Sequence, residues 1–148
     1  GKFVPLHAPA RVSSRNIRDE LLKEDSLLPA IYLTQKLDIA VVGIGYPNEK
    51  SAIMATGYFK ENEIESLIDR KVAGELCMQF YDIYGDTAPY KDDNNVIGMD
   101  ISMLRSVPRS IGIAGGVEKL RAVRGAINGH YINTLITDIE CAEALISE

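Results

Sequence analysis

Apolar positions along this chain recur in two rhythms, alternate residues in some stretches and every third or fourth in others, and the switching between them sets the order of elements. Residues 37–44 (LDIAVVGI) form a nearly unbroken β-branched run, the pattern of a strand covered on both faces of a parallel sheet. Residues 109–114 and 131–136 predict two further strands, and between them Val117, Leu120, Val123 and Ile127 align on one face of a helix over 117–127. Residues 61–70 predict another amphipathic helix, with Ile64, Leu67 and Ile68 on its apolar side. Residues 74–81 read as one strand, ended by a turn at 82–86 where Asp and Gly gather.

Weaker signals fill the gaps. The apolar run 2–6 predicts a short strand, and Ser13 or Ser14 offers an N-cap hydroxyl to a helix carrying Ile17, Leu21 and Leu22. A second helix starts near Asp25 and Ser26, with Pro29 tolerated in its first turn. A weak helical stretch covers 51–56, residues 96–99 return antiparallel to the strand before the turn, and a short helix covers 101–105. Thr137 and Glu140 have capping-box spacing at the start of a last helix bearing Ile139, Ala142, Leu145 and Ile146. This order predicts one compact α/β domain, a mainly parallel Rossmann-like sheet with right-handed crossovers and helices on both faces. Sheets of this kind bind ligands beyond the carboxyl ends of their strands.

Three strand ends therefore carry the candidate chemistry. Gly43 and Gly45 let backbone approach a ligand without a Cβ in the way, and equally suit a plain tight turn. A dinucleotide fingerprint is excluded, because Asn48 stands where its third glycine belongs. Gly115 and Gly116 join a strand to a helix start, where unpaired amides and the positive end of the helix dipole favour an anion. Lys119, in the first helical turn, lies at the end that the dipole disfavours for a cation, which points to an anionic partner. Glu75 adjoins the apolar Leu76, Cys77 and Met78, where an unpaired carboxylate is costly. It suits acceptance of sugar hydroxyl protons, proton transfer, or a solvated strand end.

Composition narrows the classes. A formal net charge of −5 disfavours gripping nucleic acid phosphates unaided. No stretch is long and apolar enough to span a membrane, and no secretory signal opens the chain. Two distant cysteines suit a reducing cytoplasm, and two histidines are too few for a catalytic zinc site. No serine stands in a nucleophile elbow, so a hydrolase triad has no support; no metal or cofactor is expected either.

Taken together, DIAVVGIG (38–45), Gly57 and Tyr58, GELCMQFYDIYG (74–85), VIG (96–98), Val107 and Pro108, AGGVEK (114–119) and NTLITD (133–138) run in one order, after an opening VPLHAP (4–9). This array resembles the C-terminal effector-binding domain of the SorC family of bacterial transcriptional regulators, over essentially the whole chain. The resemblance implies a fold similar to ribose-5-phosphate isomerase and glucosamine-6-phosphate deaminase, homo-oligomers, and a phosphorylated sugar as effector. It also implies that operator DNA is met only through a separate helix-turn-helix domain outside this chain. The family's ligand-contacting positions fall on Glu75 and Lys119. Met54, Ala55 and Thr56 stand where many relatives carry a basic residue, which implies a mono- rather than a bis-phosphorylated ligand. The resemblance further implies that residues 1–148 are the later part of such a domain. The competing class is a sugar-phosphate isomerase or deaminase with Glu75 or Asp82 as base, disfavoured because the paired-aspartate run of such isomerases is missing.

Overall fold

The computed structural model describes residues 1–48 and 51–147, apart from the side chains of Ala52 and Met54. Five strands form one sheet: β1 (Ile39–Gly45), β2 (Gly74–Leu76), β3 (Gln79–Tyr81), β4 (Arg109–Ile113) and β5 (Thr134–Ile136), in the order β3-β2-β1-β4-β5. β1, β4 and β5 run parallel, with Val41 opposite Ile111 and Ile113 opposite Ile136. β2 and β3 add antiparallel at the other side of β1, so the sheet is mixed rather than mainly parallel.

The reason is a hairpin where one strand was expected. Cys77 and Met78 both have positive φ (53° and 60°), the pattern of a type I′ turn, and the chain reverses there. Neither is a residue that adopts this conformation cheaply. The reversal is stabilised by the Glu75 carboxylate, which accepts the Met78 N–H at 2.8 Å.

The helices are α1 (Arg15–Leu21), α2 (Leu28–Thr34), α3 (Ala52–Ala55), α4 (Glu61–Asp69), α5 (Leu120–Asn128) and α6 (Ile139–Ile146). Ser14 caps α1 and Pro29 sits in the first turn of α2, as the sequence predicts. α5 is preceded by a 3-10 turn over Val117–Lys119, and residues 101–106 are 3-10 rather than α-helical. The cap of α6 is Asp138, not Thr137: its carboxylate accepts the Cys141 N–H at 2.8 Å. The expected strand at 2–6 does not form, and Phe3 is 86% exposed with no strand beside it among the described residues. The return strand at 96–99 is reduced to one bridge, between Val96 and Arg11.

Two apolar clusters flank the hairpin. Ala40, Ile44, Leu76, Tyr81, Ala122, Val123, Ala126, Tyr131 and Cys141 pack between one face of the sheet, α5 and α6. Phe59, Ile64, Leu67, Phe80 and Tyr90 pack under α4 on the far side of the hairpin. Leu67, Leu76 and Phe80 are fully buried, worth roughly 1.5–3 kcal/mol each in transfer free energy.

The opposite face of the parallel strands is bare, which corrects the expectation of cover on both sides. Ile39 (53% exposed), Val41 (62%), Ile113 (44%) and Ile136 (53%) share it, and a methyl on Gly43 would meet nothing within 4 Å. The β-branched run satisfies the sequence rule for a doubly buried strand, yet the described residues supply packing for one side only.

Candidate functional site

β1 leads towards the hairpin on one side of it and β4 leads towards β5 on the other. Their carboxyl ends are therefore a point where neighbouring connections diverge and leave a crevice. A cavity of about 400 Å³ occupies this point, lined by Gly45, Tyr46, Asn48, Ser51, Ile53, Glu75, Glu118 and Lys119.

Each wall has a local cause. Gly45 ends β1 in register with Glu75, and a methyl there would stand 2.8 Å from Glu75 Cδ and closer still to Oε1. Only a glycine leaves room for this carboxylate. Glu75 is half-buried, and burial raises its pKa above the ordinary glutamate value, against the opposing pull of the Met78 N–H and the Lys119 ammonium. Cys77, in the same turn, is pushed up to about 11, first by burial and then by the Glu75 charge, which makes it a poor nucleophile.

Lys119 closes the 3-10 turn that enters α5. The amides of Gly115, Val117 and Glu118 have no protein acceptor among the described residues. Gly116 differs: its φ is +93°, and its N–H is donated to Asp138, the carboxylate that also caps α6. Those two hydrogen bonds hold the Asp138 carboxyl below the usual aspartate range.

Of the residues singled out from sequence, Gly45, Glu75 and Lys119 come together in the cavity. Gly115 and Gly116 shape the turn behind Lys119 without lining it, and Gly43 lies on the bare face of the sheet. Tyr46, Asn48, Ser51, Ile53 and Glu118 complete the lining, and none of them is a ligand candidate from the sequence. Tyr46 and Asn48 directly follow β1, so the strand-end rule reaches them, whereas Ser51 carries no sequence signal of its own. Among the described residues no group of His, Cys, Asp and Glu is placed to hold a metal ion, and no helix is long and apolar enough to cross a membrane.

The chemistry this arrangement offers is recognition of a polar molecule by its two ends. One end meets an ammonium and unpaired amides, and the other a carboxylate that accepts hydroxyl protons.

Comparison with known proteins gives the family and the fold. The family model described as "Putative sugar-binding domain" matches residues 1–147. The sorbitol operon regulator of Klebsiella pneumoniae is 33% identical over 138 residues, which are 93% of this chain and 44% of the regulator. The transcriptional regulator LsrR of Escherichia coli K12 is 36% identical over 142 residues, 94% of this chain and 45% of LsrR. The chain thus spans a little under half the length of these relatives. Among solved structures, a DeoR family transcriptional regulator from Listeria monocytogenes superposes with a TM-score of 0.87 at 26% identity, covering 95% of this chain and 57% of that one. The full-length sorbitol operon regulator SorC of Klebsiella pneumoniae gives 0.79 at 33% identity, covering 93% and 45%.

Proposed function

We propose, starting from the fact that this chain belongs to the sugar-binding domain family of SorC- and DeoR-type transcriptional regulators, that it senses a phosphorylated sugar in the cavity between β1 and β4. The phosphoryl group docks on Lys119 and the free amides of Val117 and Glu118, while Glu75 accepts protons from the sugar hydroxyls. The observation that carries this reading is the convergence of Glu75 and Lys119 on one cavity from two different elements. Among the described residues one cation, Lys119, lines the cavity beside free amides, which suits one phosphoryl group better than two. Ligand then acts by favouring one arrangement of a homo-oligomer over another, and the effect on operator DNA passes through a separate domain. The raised pKa of Glu75 is also what a general base needs, but the relatives are named as regulators, and we read the site as one that binds without turnover. Such a sensor works in the cytoplasm.

We further read the bare face of the sheet as the seat of additional chain that completes a fold of the sugar-phosphate isomerase type. Its β-branched residues on three adjacent parallel strands support this, as does the greater length of the relatives.

Calorimetric titration of the full-length protein with mono-phosphorylated pentoses and hexoses tests the sensing reading. Binding should be saturable, lost with the unphosphorylated sugars, and weakened by Lys119→Ala roughly tenfold or more, the worth of a charge-assisted hydrogen bond. Uniformly absent binding, or unchanged affinity in Lys119→Ala, overturns it. Steady turnover of a sugar phosphate with loss in Glu75→Gln would replace it with the enzyme reading.

A further inference from the structure

A second cavity, of about 310 Å³, lies on the other flank of the hairpin and shares no lining residue with the first. Its walls come from α1 (Arg15, Arg18), from the segment after the 82–86 turn (Thr87, Ala88, Lys91, Asn94) and from Asp100 and Ile101, with buried Gln79 at the start of β3. In a chain of net charge −5, this lining carries three cations against one carboxylate.

The hydrogen-bond accounting of that lining is one-sided. Both amide oxygens of the lining, and one oxygen of its single carboxylate, are engaged by protein donors. Asp100 Oδ1 accepts the backbone N–H (2.9 Å) and hydroxyl (2.6 Å) of Ser102. Asn94 Oδ1 accepts the Phe80 N–H at 3.0 Å, and Gln79 Oε1 accepts the Ile101 N–H at 3.2 Å. Gln79 Nε2 donates to the Met99 carbonyl at 2.8 Å, and the other donors are largely unspent. Lys91 has no carboxylate within 4.0 Å and no side-chain hydrogen bond among the described residues, and the Asn94 amide N–H₂ is likewise unpaired there. Arg15 reaches a carboxylate, that of Asp19, only at 4.0 Å. Arg18 is held in place by donating Nε–H to the Val96 carbonyl at 3.0 Å and Nη1–H to Asp19 at 3.1 Å, which leaves Nη2 free. A concave surface with three cations, most of its acceptors engaged and several donors unpaired is complementary to an oxyanion.

We infer that this groove is a second binding site, for a small metabolite bearing a phosphate or carboxylate group, held by Arg15, Arg18, Lys91 and Asn94. It is independent of the sugar-phosphate reading, because the two cavities are lined by different residues on opposite flanks of the hairpin.

The test is a nuclear magnetic resonance titration of the ¹⁵N-labelled chain with sodium phosphate, and separately with sodium succinate, each at constant ionic strength held with chloride. The expected result is saturable shifts of the Asn94 side-chain amide, the Arg18 Nε–H and backbone amides of 87–94 with one of the two anions, which also tells phosphate from carboxylate. The double substitution Arg15→Gln, Lys91→Gln removes two exposed charges with no packing role and should weaken the response roughly three- to tenfold. Lys119→Ala should leave it unchanged. Shifts that stay linear with both anions, that chloride alone reproduces, or that persist in the double variant overturn the assignment.

Discussion

Two glycines one turn of the pleat apart in β1 make the sharpest test of the site. Gly43 and Gly45 lie on the same strand and the same side of it, yet a methyl added to each meets opposite circumstances. At Gly43 it enters open space, so Gly43→Ala restricts the unfolded chain without disturbing the fold and should stabilise by about 0.4–1 kcal/mol. At Gly45 it overlaps the Glu75 carboxylate, lying 2.8 Å from Cδ where an ordinary contact needs more than half an ångström further. The carboxylate must withdraw, and its hydrogen bond to the Met78 N–H goes with it. An unsatisfied donor in that half-buried turn costs about 1–3 kcal/mol, against which the same entropic gain of about 0.4–1 kcal/mol is set. Gly45→Ala should therefore be destabilised by roughly 0.5–2 kcal/mol, and the two variants should differ by about 1–3 kcal/mol. For a domain of this size that is roughly 2–10 °C between their melting temperatures, readable by circular dichroism. If Gly45→Ala melts at or above Gly43→Ala, Glu75 does not sit against β1 and the cavity is wrongly drawn.

Two other outcomes follow from the same contacts. Because burial raises the Glu75 pKa, its share of stability is fully present below the ordinary glutamate pKa and disappears as pH rises through the raised value; Glu63 and Asp138, both lowered, act in the opposite sense. The stability of the parent minus that of Glu75→Gln, measured by urea unfolding across the acid range, should fall as pH rises, and a flat difference contradicts the burial of Glu75. The bare sheet face should bind a hydrophobic dye such as ANS in residues 1–148, and binding should drop sharply per domain in the full-length protein. Equal fluorescence from the two would mean that nothing further packs on Ile39, Val41, Ile113 and Ile136.

What could be read from residues alone depended on whether the physics was local. β1 was legible because its β-branched run leaves few other conformations, and Glu75 because a carboxylate beside Leu76, Cys77 and Met78 must find partners. The hairpin was not legible. Type I′ turns announce themselves through Asn and Gly, and here Cys77 and Met78 adopt positive φ under tertiary constraint, with Glu75 supplying the hydrogen bond. Thr137 and Asp138 are both good caps by residue type, and only the turn at Gly116, which shares the Asp138 carboxylate, decides between them. The run at 2–6 has the apolar character of a strand, but pairing requires a neighbour that no local pattern reports.

The backbone of β2 touches α5 with almost nothing between them. A methyl on Gly74 would stand 2.6 Å from Ala122 Cβ, and one on Gly125 would stand 2.6 Å from the Asp82 carbonyl oxygen and 2.8 Å from the Tyr81 ring. No layer of pliable side chains is available to let strand and helix slide. The backbone carrying Glu75 and the turn carrying Lys119, immediately ahead of the helix, are consequently held at one separation. On the proposed reading of the site, a ligand is therefore selected first by whether it spans from that strand to that helix.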